Sequence, residues 1–247
     1  MSNQYFDSSL GKKIHLNYAG EIPILNNEFL KWKDQIILNL ERTQNTKNEY
    51  DSDEENELLL ECRKHAEQFR KPIESENVLI LVHPLYLHLS HMNKVNHQSE
   101  KEANEYLEKL MKLLTQKIPK KKLNIVLVET LYHYAAASNI LVKEGLVDKV
   151  VFSQYDEGYP VTETELSELK NKNIYLGGGY AGYCLNDTIS TLYRICKKKL
   201  WAVSDLVLKS PISHSSIKVK PSEKIDVYMS KSKTISLDDF VNKIMKP

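Results

Sequence analysis

The residue types that could do chemistry gather in one segment, Asn173 to Asp205, where a short apolar run meets a cluster of glycines, then Cys184, then a helical pattern, then a second apolar run closed by Asp205. A cysteine at the start of a helix sits among unpaired backbone N–H groups at the positive end of the helix dipole. Both favour the thiolate over the thiol and can also hold an oxyanion. The plainer reading of Cys184 is a small buried apolar residue. The same segment satisfies G-x-G-x-x-G with Gly177, Gly179 and Gly182. Asp205 follows at about the distance where an acidic residue meets a ribose, so a nucleotide- or dinucleotide-binding turn is the alternative reading. Crowding by Tyr183 and Cys184, and the late position of the unit in the chain, count against it. A third cluster, His83, His88, His91 and His97, has no carboxylate among its members and no known ligand spacing, so it reads as the content of a polar loop and no metal is expected.

The elements that must position these groups follow from periodicity. From Asn77 onward, short apolar runs alternate with longer polar-faced helices, the pattern of βαβ units and a parallel sheet. Strands are predicted at Val78–Val82, Leu123–Val128, Lys149–Ser153, Asn173–Leu176 and Leu200–Ser204, with an edge strand at Ile225–Met229 and a last helix capped by Ser236. Ser99 with Glu102, and Thr162 with Glu165, have capping-box spacing and mark helix starts. Upstream, two amphipathic helices, Glu28 to about Arg42 and one ending near Arg70, have apolar stripes too narrow for a core of their own. The organisation expected is a helical extension over 1–75, packed on an α/β domain over 76–247. In an open parallel sheet, ligands bind beyond the carboxyl ends of the strands. The residues in that row are His83, Glu129, Gln154, Gly177 to Cys184 and Asp205, with His133 just beyond Glu129 on the same edge.

Bulk properties narrow the function classes. With 34 basic and 33 acidic residues the formal charge is +1, so no global field draws the chain to nucleic acid or anionic lipid. Its 14 tyrosines have no accompanying basic stripe, which speaks for packing rather than base stacking. No apolar run approaches the roughly 20 residues needed to cross a bilayer, and the first thirty residues lack a signal-peptide pattern. Three cysteines without a CxxC pair make neither a disulfide framework nor a four-cysteine zinc site. The expectation is a cytoplasmic protein, or one exported without a cleavable signal.

The segment around Cys184 resembles the nucleophile region of the isochorismatase-like cysteine hydrolases, in which a strand, a glycine and C-[VL]-x-x-T lead into a helix. Cys184, Leu185 and Thr188 fit that motif. Tyr159–Leu169 is similar to the family's T-x-L segment, and the run VLILVHP is similar to its first strand, so the resemblance spans about 77–208 in strand order. It implies a three-layer α/β/α sandwich with a mostly parallel sheet and hydrolysis of a small amide or related C–N bond. In the family an Asp at the end of the first strand is the base and a Lys before the T-x-L segment stabilises charge. Here His83 stands for the Asp, and Ser153 or Gln154 for the Lys. A neutral imidazole can take a thiol proton, so Cys184 and His83 form a candidate dyad. Gly179, Tyr180, Tyr183, Glu129, His133 and Gln154 are then candidate pocket residues, with backbone N–H groups near Tyr183 and Cys184 as oxyanion donors. The rival is a degenerate, non-catalytic relative with a binding or interaction role, because fold does not carry function with it. No cofactor is implied. The partner is a small molecule or a protein, and homo-oligomerisation stays open.

Overall fold

The computed structural model describes residues 53–85, 100–154, 159–160, 163–181, 184–196, 200–208 and 232–246. The helix read at 28–42 and the edge strand read at 225–229 lie outside them. Helix α1 (Asp53–Gln68) leads to strand β1 (Asn77–Val82), followed by α2 (Glu100–Thr115) and β2 (Asn124–Glu129). Next comes α3 in three pieces: Leu131–His133, a π turn over Tyr134–Ser138, and Asn139–Lys143. Strands β3 (Lys149–Gln154) and β4 (Tyr159–Pro160), a 3-10 helix (Glu163–Leu169), β5 (Asn173–Gly178) and α4 (Cys184–Cys196) follow. The described chain closes with β6 (Leu200–Val203), a 3-10 turn (Ser204–Leu206), β7 (Ser232–Ile235) and α5 (Leu237–Met245).

The seven strands form one sheet in the order β4-β3-β2-β1-β5-β6-β7. Six run parallel, and only the short β4 pairs antiparallel, Gln154 opposite Tyr159. The central strands are apolar at almost every position because both faces are covered, as parallel sheets require. Side-chain alternation divides the core accordingly. Leu79, Leu81, Leu127 and Tyr175 point to a layer built by α1, α2, α3 and α5, where Cys62, Leu110, Tyr134 and Phe240 pack. Val78, Ile80, Val82, Val126 and Val128 point the other way, onto α4 and the 3-10 helix through Leu185, Ile189, Leu192, Leu166 and Leu169. The fold is therefore the expected three-layer α/β/α sandwich. Among the described residues no helix is long and apolar enough to cross a membrane.

Local sequence accounts for most boundaries. The five strands expected from 78 to 204 are present, each within about two residues of its predicted ends. Ser236 caps α5, its Oγ accepting from the Asp239 amide at 3.1 Å. The Thr162–Glu165 spacing instead opens a 3-10 helix, a tighter coil in which side chains three apart eclipse. The terminal strand that is seen, β7, lies at 232–235 and pairs in parallel with β6.

Candidate functional site

Strand order reverses at β1: β2 and β3 extend the sheet on one side, β5 and β6 on the other. Beyond the carboxyl ends of the strands at such a switch point a crevice opens, and ligands bind there. His83 leaves β1 at this place. Its amide still donates to Val128 O at 2.9 Å, continuing the β1–β2 ladder for one more residue. Its φ is +42°, in the left-handed region where a side chain costs about 1–3 kcal/mol. The imidazole is 1% exposed. Nε2 lies 3.1 Å from Ser153 Oγ at the end of β3, so the ring reaches across β2, away from β5. Nδ1 has no hydrogen-bond partner among the described residues. Burial first, and His133 second, hold its pKa well below the ordinary histidine value, so His83 is a neutral imidazole.

Beneath that ring lies the end of β2. Glu129 is fully buried, and its Oε1 is 3.3 Å from His133 Nδ1. The His133 ring stands edge-on to the His83 ring with centroids 5.7 Å apart. Thr130 fixes the turn between them, its Oγ accepting from the His133 amide at 3.1 Å. The π turn that follows leaves carbonyls without their usual α-helical donors. Asn139, buried, supplies Nδ2 to Tyr134 O at 2.8 Å and Ala135 O at 3.0 Å. α1 pins the same helix from outside: Tyr134 Oη is 2.7 Å from His65 Nδ1, and Cys62 Sγ donates weakly to Leu131 O at 3.8 Å. Burial pushes the Cys62 thiol well above its ordinary range, with Glu61 adding to the effect.

Cys184 is the first residue of α4, as its sequence context predicts, and is 5% exposed. The Tyr180 amide donates to its Sγ at 3.4 Å. A Cβ at Gly179 would lie 2.9 Å from that sulfur, and Gly179 has φ +61°, so the glycine makes room for the thiol. The sulfur belongs to the apolar layer of Val82, Leu185 and Ile189. From the opposite layer, Tyr106 donates its hydroxyl to Pro84 O at 3.0 Å. Burial foremost, then Glu129, Cys184 and Tyr180, raise its phenol pKa.

The geometry bears on two of the expectations. Of the expected Cys184–His83 pair, the His83 ring has one nitrogen on Ser153 Oγ and the other without a described donor or acceptor, so no hydrogen bond joins it to the thiol. The residues of the G-x-G-x-x-G reading that are described have other engagements. Asp205 is not free for a ribose, since its Oδ1 is 2.8 Å from Lys109 Nζ and its Oδ2 accepts from the Leu237 amide at 2.8 Å. Lys109 chiefly, then that amide, hold its carboxyl below the ordinary value. Gly177 and Gly178 have packing roles: a Cβ at Gly177 would meet Leu206 Cβ at 2.8 Å, and one at Gly178, φ +73°, would run into the Val82 carbonyl.

Tyr183, Gly182, His88, His91 and His97 lie outside the described residues, as does the Gln154 side chain. Of the candidate pocket residues, Glu129 and His133 join His83 on the β2 side, while Gly179 and Tyr180 join Cys184. Among the described residues no group of three His, Cys, Asp or Glu side chains is placed to hold a metal ion. Sequence reasoning named Ser153 without giving it a partner and missed Tyr106 and Asn139. Ser153 had a usable signal in its place at a strand's carboxyl end; the other two had none.

Site and sheet together define an α/β protein with a buried polar cluster at the carboxyl edge of a parallel sheet. Among solved structures, an isochorismatase-like hydrolase from Alkaliphilus metalliredigens matches at 12% identity and a TM-score of 0.44, over 68% of this chain and 98% of that one. No protein-family model matches the sequence, and no curated protein matches it significantly. Identity at that level transfers no residue role from one chain to the other.

Proposed function

We propose that this domain binds a small polar molecule at the carboxyl edge of its sheet and is a degenerate relative of the isochorismatase-like hydrolases that does not use a Cys184–His83 pair. One observation carries the reading: His83, at the position where the family resemblance expects the base, lies 3.1 Å from Ser153 Oγ and makes no hydrogen bond to the thiol. A buried polar group lacking a partner is costly, by about 1–3 kcal/mol, and persists where a ligand or water completes it. His83 Nδ1 is such a group, and its burial beside Glu129, His133 and Ser153 favours a small molecule over a protein surface.

A second reading, cysteine-dependent hydrolysis of a small amide or related C–N bond, draws on the Tyr180 amide directed at Cys184 Sγ and on the sulfur's place at the head of a 13-residue helix. Thiol alkylation measured against pH separates the two, with Cys62 and Cys196 as internal controls. Under the binding reading Cys184 reacts only near the free-thiol pKa of roughly 8.5, or not at all, and His83→Ala leaves the profile unchanged. Selective modification well below pH 8 that disappears in His83→Ala sinks the binding reading and restores the dyad.

A further inference from the structure

We propose that Ser153 and His83 are a nucleophile and general base for acyl transfer from small carboxylic esters, an activity distinct from any cysteine chemistry at Cys184. Three observations support it. Ser153 Oγ and His83 Nε2 are at 3.1 Å, within the reach that proton abstraction demands. The imidazole is held at that distance from two sides, by its amide bond to Val128 O and by a left-handed φ of +42° that few residues accept without a compensating role. The Glu129 carboxylate lies in the same buried cluster, joined to His133, which stacks edge-on to His83. His133 thus links the ring of the proposed base to a buried carboxyl group.

The step balances without a cofactor. Ser153 Oγ forms a bond to the acyl carbon while its proton passes to His83 Nε2, and the acyl carbon–oxygen bond breaks, the departing alkoxide taking that proton. Water then adds to the acyl carbon, gives a proton to Nε2, and Ser153 leaves with it as the free hydroxyl. Nδ1 keeps the ring's own hydrogen throughout, and its missing acceptor is an oxygen of the substrate or of the attacking water. Esters suit the site better than amides, since an alkoxide needs less help to depart than an amide nitrogen. His83, Glu129, His133 and Ser153 are all 2% exposed or less, which restricts the acyl group to a compact one.

The test uses the full chain and p-nitrophenyl acetate. The expected result is a stoichiometric burst of p-nitrophenolate, with the acetyl group found on Ser153 by peptide mass. His83→Ala lowers the acetylation rate about 100-fold or more, the range general-base removal produces. Ser153→Ala abolishes the burst; if that variant does not fold, Ser153→Cys keeps the side-chain volume and carries the acetyl group on its own sulfur. Acetyl found on Cys184, on surface lysines or tyrosines alone, or on no residue at all overturns the proposal. Because Cys184 alkylation is measured separately, failure here leaves the binding reading standing on its own result.

Discussion

The two edges of the sheet each bury a carboxylate, and they treat it in opposite ways. At the amino edge, Asp148 precedes β3 with its side chain fully buried. Its Oδ2 accepts from the Ile125 amide at 2.8 Å and from Asn124 Nδ2 at 3.1 Å, and its Oδ1 pairs with Lys120 Nζ at 2.8 Å. Asn124 in turn accepts from the Ser75 amide, and the Asp148 carbonyl accepts from the Lys71 amide, both at 2.8 Å. That network ties the entries of β1, β2 and β3 to one carboxylate. At the carboxyl edge, Glu129 meets His133 at 3.3 Å, beside a strained histidine with an uncompleted ring nitrogen. The amino-edge carboxylate is thus tied to backbone amides and side chains of three strand entries, whereas the carboxyl-edge one neighbours a single histidine pair.

The comparison breaks first at Asp148. Asp148→Ala strands the Ile125 amide and the Asn124 side chain in the interior and should cost about 3–5 kcal/mol, read as a lower urea midpoint. A loss under about 1 kcal/mol would mean that the amino edge is no more dependent on its carboxylate than an exposed pair is. Next comes Gly178→Ala at the other edge, where a Cβ collides with the Val82 carbonyl at a φ of +73°. Thermal unfolding should show a loss of about 2 kcal/mol or more, because the atom that must move is backbone. An unchanged melting temperature would show that β5 can retreat from β1 at little cost.

The smallest effect sharpens the contrast most. His83→Asn keeps a residue tolerant of left-handed φ while removing the buried ring, so stability at neutral pH should change by less than about 1 kcal/mol, in either direction. The difference appears in acid. Burial depresses the folded pKa of both His83 and His65, His133 adding to the effect at the first and Lys143 at the second. Below the ordinary value of 6.5 the unfolded chain therefore binds protons that the folded chain does not. Stability is fully present above that pH and is lost as pH falls through it. Removing His83 takes one proton from that linkage, and unfolding free energies measured between pH 7 and pH 5 should fall less steeply in the variant. Equal slopes would place the excess proton uptake elsewhere.

How far the sequence carries is visible in these same residues. β1, β2 and β5 were legible because short apolar runs, Val78–Val82, Ile125–Val128 and Ile174–Leu176, stand between polar residues and glycines. The position of His83 and Glu129 at strand ends followed from that, and so did Cys184 at the start of α4. The direction of the His83 side chain did not follow, because it depends on one backbone angle that neighbouring residues impose. The G-x-G-x-x-G spacing misled for a related reason: glycine permits close approach, and at Gly177 and Gly178 what approaches is Leu206 and the Val82 carbonyl. The engagement of Asp205 by Lys109, 96 residues away, has no local signature at all.

The π turn in α3 turns chain length into an angular setting. Each residue of an α-helix advances the chain by about 100°, and a π turn holds one residue more than the α turn it replaces. With that surplus accommodated between Tyr134 and Ser138, the short stretch carrying His133 and the stretch that buries Ile140, Leu141 and Val142 face their separate neighbours at once. Losing one residue there would let the helix close regularly and would turn its two halves against each other by the same angle. The orientation of the site's second histidine is thus written in a count of residues as much as in their identities, and Asn139 is the side chain that keeps the count.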